Sequence, residues 1–380
     1  YGKWSDRMVS SKVSFQEAKA AVELHGSNRK AAAALGVGET TVRRALARGP
    51  GSEPEEDLVL DPGHHLVRRS RYRRTAEGGE WLISEKVGPS DPASIRELFE
   101  DMAKELTLAL DPVPVPKAAT NSQLLNLYVV SDFHFGALAL KREGGADWNM
   151  KIALETLKRV YGEMLLRSPD AEVGVVCQLG DFLHFDGFDA VTPTSKHLLD
   201  ASTTYSEMSR VAVHALVWMI RETLKKHQKV HVICAEGNHD IASSQMMRVW
   251  LNVLFGDDPR VMIDDSDVPY YAYEWGKTGL FFHHGHLCKP EKLASVAAAM
   301  FREMWGRCPH MVAHCGDKHH FLRGKDDNGM MVIQHPTLAA KDRYSSRHAW
   351  FSERAAYSYT YTKDHGEAGY VRVTPEMVGC

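Results

Sequence analysis

Five short clusters of acidic, amide and imidazole side chains follow one another along the chain. They are Asp132-Phe133-His134, Gly180-Asp181-Phe182-Leu183-His184, Gly237-Asn238-His239-Asp240, His284-Gly285-His286 and Gly316-Asp317-Lys318-His319. Carboxylates, neutral imidazoles and an amide carbonyl are the donors that divalent cations take, and this set is large enough for two ions. Any one cluster alone reads as turn chemistry for Asp or as a hydrogen-bonded core histidine. Five in order ask for more, because polar groups set directly after buried strands are costly unless paired or bound.

The elements that must position them are readable. Each cluster follows an apolar run that predicts a strand, over 125–131, 173–179, 230–235, 280–284 and 311–315, with long helices predicted over 150–167, 203–227 and 291–305. Such alternation implies an α/β sandwich whose ligands collect at the carboxyl ends of strands. If Asp132 and His134 continue a strand, they share a face and Phe133 turns into the protein. The glycine before Asn238 permits a tight turn there.

The ordered set resembles the metallophosphoesterase (calcineurin-like phosphoesterase) superfamily, whose pattern runs Asp-x-His, Gly-Asp-x-x-Asp/His, Gly-Asn-His-Asp/Glu, His-Gly and Gly-His-x-His. This chain departs at Asp317, where the family has His. The resemblance implies a β-sandwich flanked by helices and two divalent ions, with Mn²⁺ preferred ahead of Mg²⁺, Fe²⁺ or Zn²⁺. It places Asp132, His134, Asp181 and His319 on the first ion and Asp181, Asn238, His284 and Asp317 on the second. Paired ions of this kind lie roughly 3.5–4 Å apart and activate water for in-line attack on phosphorus. By the same resemblance His239 protonates the leaving oxygen, with Asp240 orienting its ring. His184 stands where many phosphatases carry Asp and where nucleases of the Mre11 type carry His.

Three readings of Asp317 are open: a natural swap to a ligand that suits Mn²⁺ or Mg²⁺, a change that weakens the second ion, or a shifted register in which His314 or His320 fills the place. His283 competes with His284 in the same way, and His286 is expected behind the ligands. Trp305-Gly306, Pro336-Thr337-Leu338 and the strand-turn over 356–366 resemble a group of phage and prophage metallophosphoesterases usually described as DNA exonucleases or phosphoesterases. The resemblance spans most of 60–372. The polar loop 185–204 is either a cover for substrate or an ordinary surface excursion.

The chain has 380 residues, 44% hydrophobic and 25% charged, which is ordinary globular composition. Its apolar runs, such as 127–130 and 173–176, fall far short of the roughly 20 residues a membrane-crossing helix needs, so a cytoplasmic protein is expected. Six cysteines without a Cys-x-x-Cys pair predict buried free thiols. The formal charge of −3 divides into +5 for residues 1–50 and −8 for the rest, a basic head on an acidic body.

That head reads as three helices over 14–25, 27–35 and 39–47, with apolar faces at Ala18, Ala21, Val22 and Leu24, at Ala32 and Leu35, and at Val42, Ala45 and Leu46. The run from Asn28 to Leu46 resembles a helix-turn-helix of the Fis and resolvase type, which would offer Thr40, Thr41, Arg43 and Arg44 to DNA. A helical bundle for protein contacts is the alternative. Beyond a linker, 65–84 reads as two strands joined by a Gly-Gly turn, with Arg68, Arg69, Arg71, Arg73 and Arg74 around Tyr72 suited to a phosphate backbone or to guarding a solvated edge. An amphipathic helix is predicted over 91–110.

The expected organisation is a helix-turn-helix domain over 1–50, a linker, basic hairpin and connecting helix over 51–118, and a metallophosphoesterase domain over 119–380. The leading functional reading is a two-metal phosphodiesterase acting on DNA, exonuclease-like. Its rivals are a phosphoesterase for a small nucleotide or phosphoprotein, and a DNA-binding protein whose phosphoesterase site has decayed. Expected partners are DNA, a second copy of the chain, or phage and host replication and repair proteins, and no membrane.

Overall fold

The computed structural model describes residues 13–47, 66–75, 78–86, 111–116, 120–325, 328–348 and 351–380. The helix predicted over 91–110 lies outside these residues. They divide into two compact units, Tyr1–Val87 and Gly88–Cys380.

The first unit opens with α1 (Phe15–His25), α2 (Asn28–Ala34) and α3 (Glu39–Ala47). Ser14 begins α1 through a capping box: its hydroxyl accepts from the Glu17 N–H at 3.2 Å, and the Glu17 carboxylate accepts from the Ser14 N–H at 2.9 Å. Ser27 caps α2 through its hydroxyl alone, which accepts from the Lys30 N–H at 3.3 Å. Ala18, Ala21, Ala31, Ala32, Val42 and Ala45 form the core, so small side chains let the three helices approach closely. Leu24 is not on that face; it is 79% exposed. Strands β1 (Leu66–Thr75) and β2 (Gly78–Lys86) pair antiparallel with Tyr72 opposite Trp81. Gly78 and Gly79 are the first residues of β2, opposite Thr75 and Arg74, rather than the turn itself.

The second unit is a two-sheet sandwich covered by helices on both outer faces. Its elements are β3 (Asn121–Val130), α4 (Lys141–Gly144), α5 (Met150–Arg167), β4 (Ala171–Gln178), α6 (Tyr205–Leu224), β5 (Lys229–Cys234), α7 (Ile241–Phe255), β6 (Val261–Ile263), β7 (Tyr271–Trp275), β8 (Thr278–Phe282), α8 (Leu293–Met300), α9 (Arg302–Arg307), β9 (His310–Cys315), β10 (Leu322–Lys325), β11 (Met331–Gln334), α10 (Arg343–Arg347), β12 (Ala356–Thr362) and β13 (Gly366–Val373). One sheet runs β13-β12-β3-β4-β5-β6, parallel from β3 to β6; the other runs β10-β11-β9-β8-β7, parallel through β11, β9 and β8.

Strand alternation builds the layers. Leu125, Leu127 and Val129 of β3, Val173, Val175 and Cys177 of β4, and Tyr357, Tyr359 and Tyr361 of β12 meet Leu280, Phe282, Val312 and Ile333 between the sheets. Tyr128, Val130 and Val176 face the other way, onto Leu157, Val160, Leu216 and Ile220 of α5 and α6. On the far side Phe281 and Ala313 pack against α8 and α9. The predicted helix over 291–305 is two helices, broken at Phe301, whose φ of −117° and ψ of 49° leave the helical region. Five cysteines are buried free thiols and Cys380 is exposed. Among the described residues no helix is long and apolar enough to cross a membrane.

Candidate metal centre

All five clusters lie just past the carboxyl ends of parallel strands: β3, β4 and β5 of one sheet and β8 and β9 of the other. The β3–β4 ladder continues beyond the strands, with the Asp132 N–H donating to the Gly180 carbonyl at 3.1 Å, His134 to Asp181 at 2.9 Å and Phe135 to Phe182 at 2.8 Å. The first two clusters are therefore zipped together. Asp132 and His134 do not share a face by strand alternation, however; both have left the strand with φ of 51° and 50°. Asp181 (51°), Asp317 (68°) and His319 (58°) are also left-handed, so five of the six described non-glycine residues with positive φ belong to the clusters. Each such residue costs about 1–3 kcal/mol, which persists only where the surroundings over-determine it. The side chain between them, Phe133, does turn inward, against Phe135, Trp148 and Phe182.

Three groups of ligating atoms result: Asp132, His134 and His319; Asp132, Asp181 and His284; and His134, His184 and His239. His319 Nε2 lies 3.3 Å from Asp132 Oδ1 and 3.4 Å from His134 Nε2, and His284 Nε2 lies 3.3 Å from Asp181 Oδ2 and 3.9 Å from Asp132 Oδ1. Asp132 is thus the carboxylate common to two groups, a place the family resemblance gives to Asp181. His284 Nδ1 bonds the Leu179 carbonyl at 2.9 Å, which fixes that nitrogen as the donor and leaves Nε2 its lone pair toward the carboxylates.

These residues fit divalent cations. Asn238 Oδ1 is buried without a hydrogen-bond partner among the described residues, an arrangement that costs free energy unless something electropositive satisfies it. Burial works against a charge on His284, yet Asp181 and Asp132 outweigh it and carry its pKa up to about 10, a measure of how strongly the two carboxylates call for positive charge. A Cβ at Gly237 would overlap the Asp181 carboxylate, and one at Gly316 would overlap Ser131 Oγ and the Asp132 carboxylate, so glycine keeps both cradles open. Burial, with His239 beside each, holds His134 well below its ordinary value and His184 down at about 3, so both rings are neutral and able to ligate.

His239 stacks on His184 with centroids 5.7 Å apart, its N–H donates to Asp181 Oδ1 at 2.8 Å, and its Nδ1 bonds the His184 carbonyl at 2.7 Å. That carbonyl, not Asp240, orients the ring. Asp240 is spent on main-chain donors: Gly237 at 2.9 Å, Phe182 at 2.7 Å and Leu183 at 3.1 Å. It ties the second and third clusters together. Asp317 also differs from expectation, since its carboxylate joins none of the three groups and pairs with Lys318 Nζ at 2.6 Å. Its contribution is the N–H that donates to both Asp132 oxygens at 3.1 and 3.2 Å.

Neither register alternative takes its place. His314 is buried between the sheets against His335 and Tyr361, and His320 is exposed and bonded to the Lys318 carbonyl. His283 stacks on Tyr270, and His286 lies beside both His283 and His284.

The clusters alone did not point to three supporting residues. Ser131 Oγ bonds Asp132 Oδ2, Thr337 Oγ1 donates to the Asp132 carbonyl at 2.6 Å, and Asp186 accepts from the Ala242 and Ser243 N–H groups at the start of α7. Thr337 lies in the Pro336-Thr337-Leu338 run noted above and Asp186 in the 185–204 loop, while Ser131 had only its place at a strand end as a signal. In the first unit, Thr40, Thr41 and Arg43 lie on α3, with Arg43 exposed; the side chains of Arg44 and of Arg68, Arg69, Arg71 and Arg73 on β1 lie outside the described ones.

No family model matches the chain, and no curated protein does. Among solved structures, a predicted phosphoesterase from Streptococcus pneumoniae is 11% identical over 67% of this chain and 99% of its own, with a TM-score of 0.28. A dimetal phosphatase from Danio rerio is 11% identical over 66% and 98%, with a TM-score of 0.37. Vps29 complexed with zinc, from Entamoeba histolytica, is 11% identical over 66% and 99%, with a TM-score of 0.27. Likenesses this distant assign no activity, and the functional reading rests on the centre itself.

Proposed function

We propose that the centre holds two divalent ions and hydrolyses phosphodiester bonds, with DNA as substrate. The observation that carries the reading is the overlap of two donor groups through Asp132, with Asn238 Oδ1 buried and without a hydrogen-bond partner among the described residues. Asp132, His134 and His319 would hold one ion; Asp132, Asp181, Asn238 and His284 would hold the other. Bound there, the ions supply Lewis acidity and water activation for attack on phosphorus. The donor set mixes carboxylate and amide oxygens with three histidine nitrogens, a combination that Mn²⁺ accepts and that Fe²⁺ and Zn²⁺ accept as well.

The chain's own residues supply the rest. With Nδ1 held by the His184 carbonyl, His239 exchanges its proton at Nε2 and is placed to protonate the departing oxygen. The bond from its N–H to Asp181 ties that general acid to a metal-binding carboxylate, so acid and ions keep one geometry. Support for DNA comes from the +5 charge of residues 1–50, the small three-helix unit with Thr40, Thr41, Arg43 and Arg44 on its last helix, and the arginine-rich strand that follows.

The deciding experiment is cleavage of end-labelled single- and double-stranded DNA with Mn²⁺, Mg²⁺ or EDTA, beside a small aryl phosphodiester. Metal-dependent shortening of DNA is expected. Turnover of the small ester alone would replace DNA with a small phosphoester, and turnover of neither would overturn the hydrolase.

A further inference from the structure

One edge of the second unit is positive although the chain outside the head is acidic. Residues 141–144 and 341–347 contain five Lys or Arg against Glu143 and Asp342. The two stretches are packed side by side: a Cβ on Gly144 would overlap the Lys341 carbonyl oxygen. The chain reaches this edge straight from the centre. Thr337 bonds the Asp132 carbonyl, and Ala339 donates to Thr337 Oγ1 at 2.9 Å.

At the same edge stands an exposed aromatic ring. Phe351 is 82% exposed, and the Nζ of Lys341 sits 4.4 Å from its ring centroid. A cation over an exposed ring, among further cations, is what a nucleic-acid strand with open bases engages: the ring offers a stacking face and the cations follow the phosphates. In a duplex the base faces are already covered, so this combination selects an unpaired strand.

We propose that Phe351, Lys341, Arg343 and Arg347, with Lys141 and Arg142 alongside, bind an unpaired nucleic-acid strand as it enters the metal centre, one base stacking on Phe351. The inference rests on the nucleic-acid reading above. It implies that the enzyme works on single strands or on frayed ends.

Steady-state cleavage of a short oligothymidylate by the full-length, metal-loaded protein tests it, with the small aryl phosphodiester as control. Phe351→Ala is expected to raise KM for the oligonucleotide about 5- to 100-fold, the effect of one lost base stack, and Phe351→Trp to restore it. The Lys341→Ala/Arg343→Ala pair should raise the same KM and flatten its salt dependence by about 0.7 in log–log slope per lost phosphate contact. The kinetic constants for the aryl ester should stay at wild-type values, which also reports an intact fold. If wild-type protein cleaves the oligonucleotide and neither variant changes its KM, the strand site is wrong while the nuclease reading stands. If wild-type protein cleaves only the aryl ester, the nucleic-acid reading falls and the strand site with it.

Discussion

His239 touches three parts of the centre at once: the Asp181 carboxylate through its N–H, the His184 carbonyl through Nδ1 and the His184 ring by stacking. Replacing it by Asn keeps a small polar side chain but removes the proton donor. His239→Asn is expected to lower kcat about 10²- to 10⁴-fold while metal content, read by elemental analysis, stays at the wild-type level. Gly237→Ala should do the opposite, losing bound metal along with activity, because the new methyl would displace the Asp181 carboxylate. The order of the clusters in the sequence disclosed most of the residues at the centre, since donor types and spacing are local properties. It could not disclose that Asp132, His134, Asp181, Asp317 and His319 adopt left-handed backbone, or that Lys318 draws the Asp317 carboxylate aside. Those outcomes depend on neighbours contributed by distant strands.

Among the elements, long periodic segments were legible and short or interrupted ones were not. Helix α5 spans Met150–Arg167 as its apolar repeat predicts. Helix α7 escaped notice because Val249 and Val253 are exposed and blur its apolar face, and because Asp240 at its start bonds elsewhere while Asp186 supplies the cap. Strands β10 and β11, of four residues each, carry too few side chains for a period.

Two predictions belong at this scale. Gly162 sits inside α5 with open space around it, so Gly162→Ala should stabilise the fold by about 0.5–1 kcal/mol, measured by denaturant titration. Strand β5 and its approach bury His231 and His227, and burial holds both rings down at about 4. Unfolded, they titrate near 6.5. Between those values the unfolded chain binds more protons, so stability is full above about pH 6.5 and falls as pH drops toward about 4. His231→Leu should flatten that decline in acid unfolding followed by circular dichroism.

At the scale of the whole molecule, a basic first unit precedes a second unit that carries every residue of the candidate centre. Deleting residues 1–50 is expected to abolish cleavage of long DNA at physiological salt and to leave the aryl phosphodiester untouched, because phosphate contacts dominate nucleic-acid affinity. Equal loss on both substrates would make that unit structural. Chelation should lower the thermal midpoint as well as activity, since ions that bind only the folded chain stabilise it by mass action.

The pairing of β12 with β3 bears on how such a molecule comes into being. Asp132 leaves the ribosome long before His319, and the strand that flanks β3 is made later still, at Ala356–Thr362. Thr337, which holds the Asp132 carbonyl, also arrives after every ligand. A nascent or truncated chain ending before β12 would carry all the donor side chains and lack the frame that aims them. Metal loading is therefore expected only once β12 has been made, and a chain stopped before Ala356 should fail to retain ions.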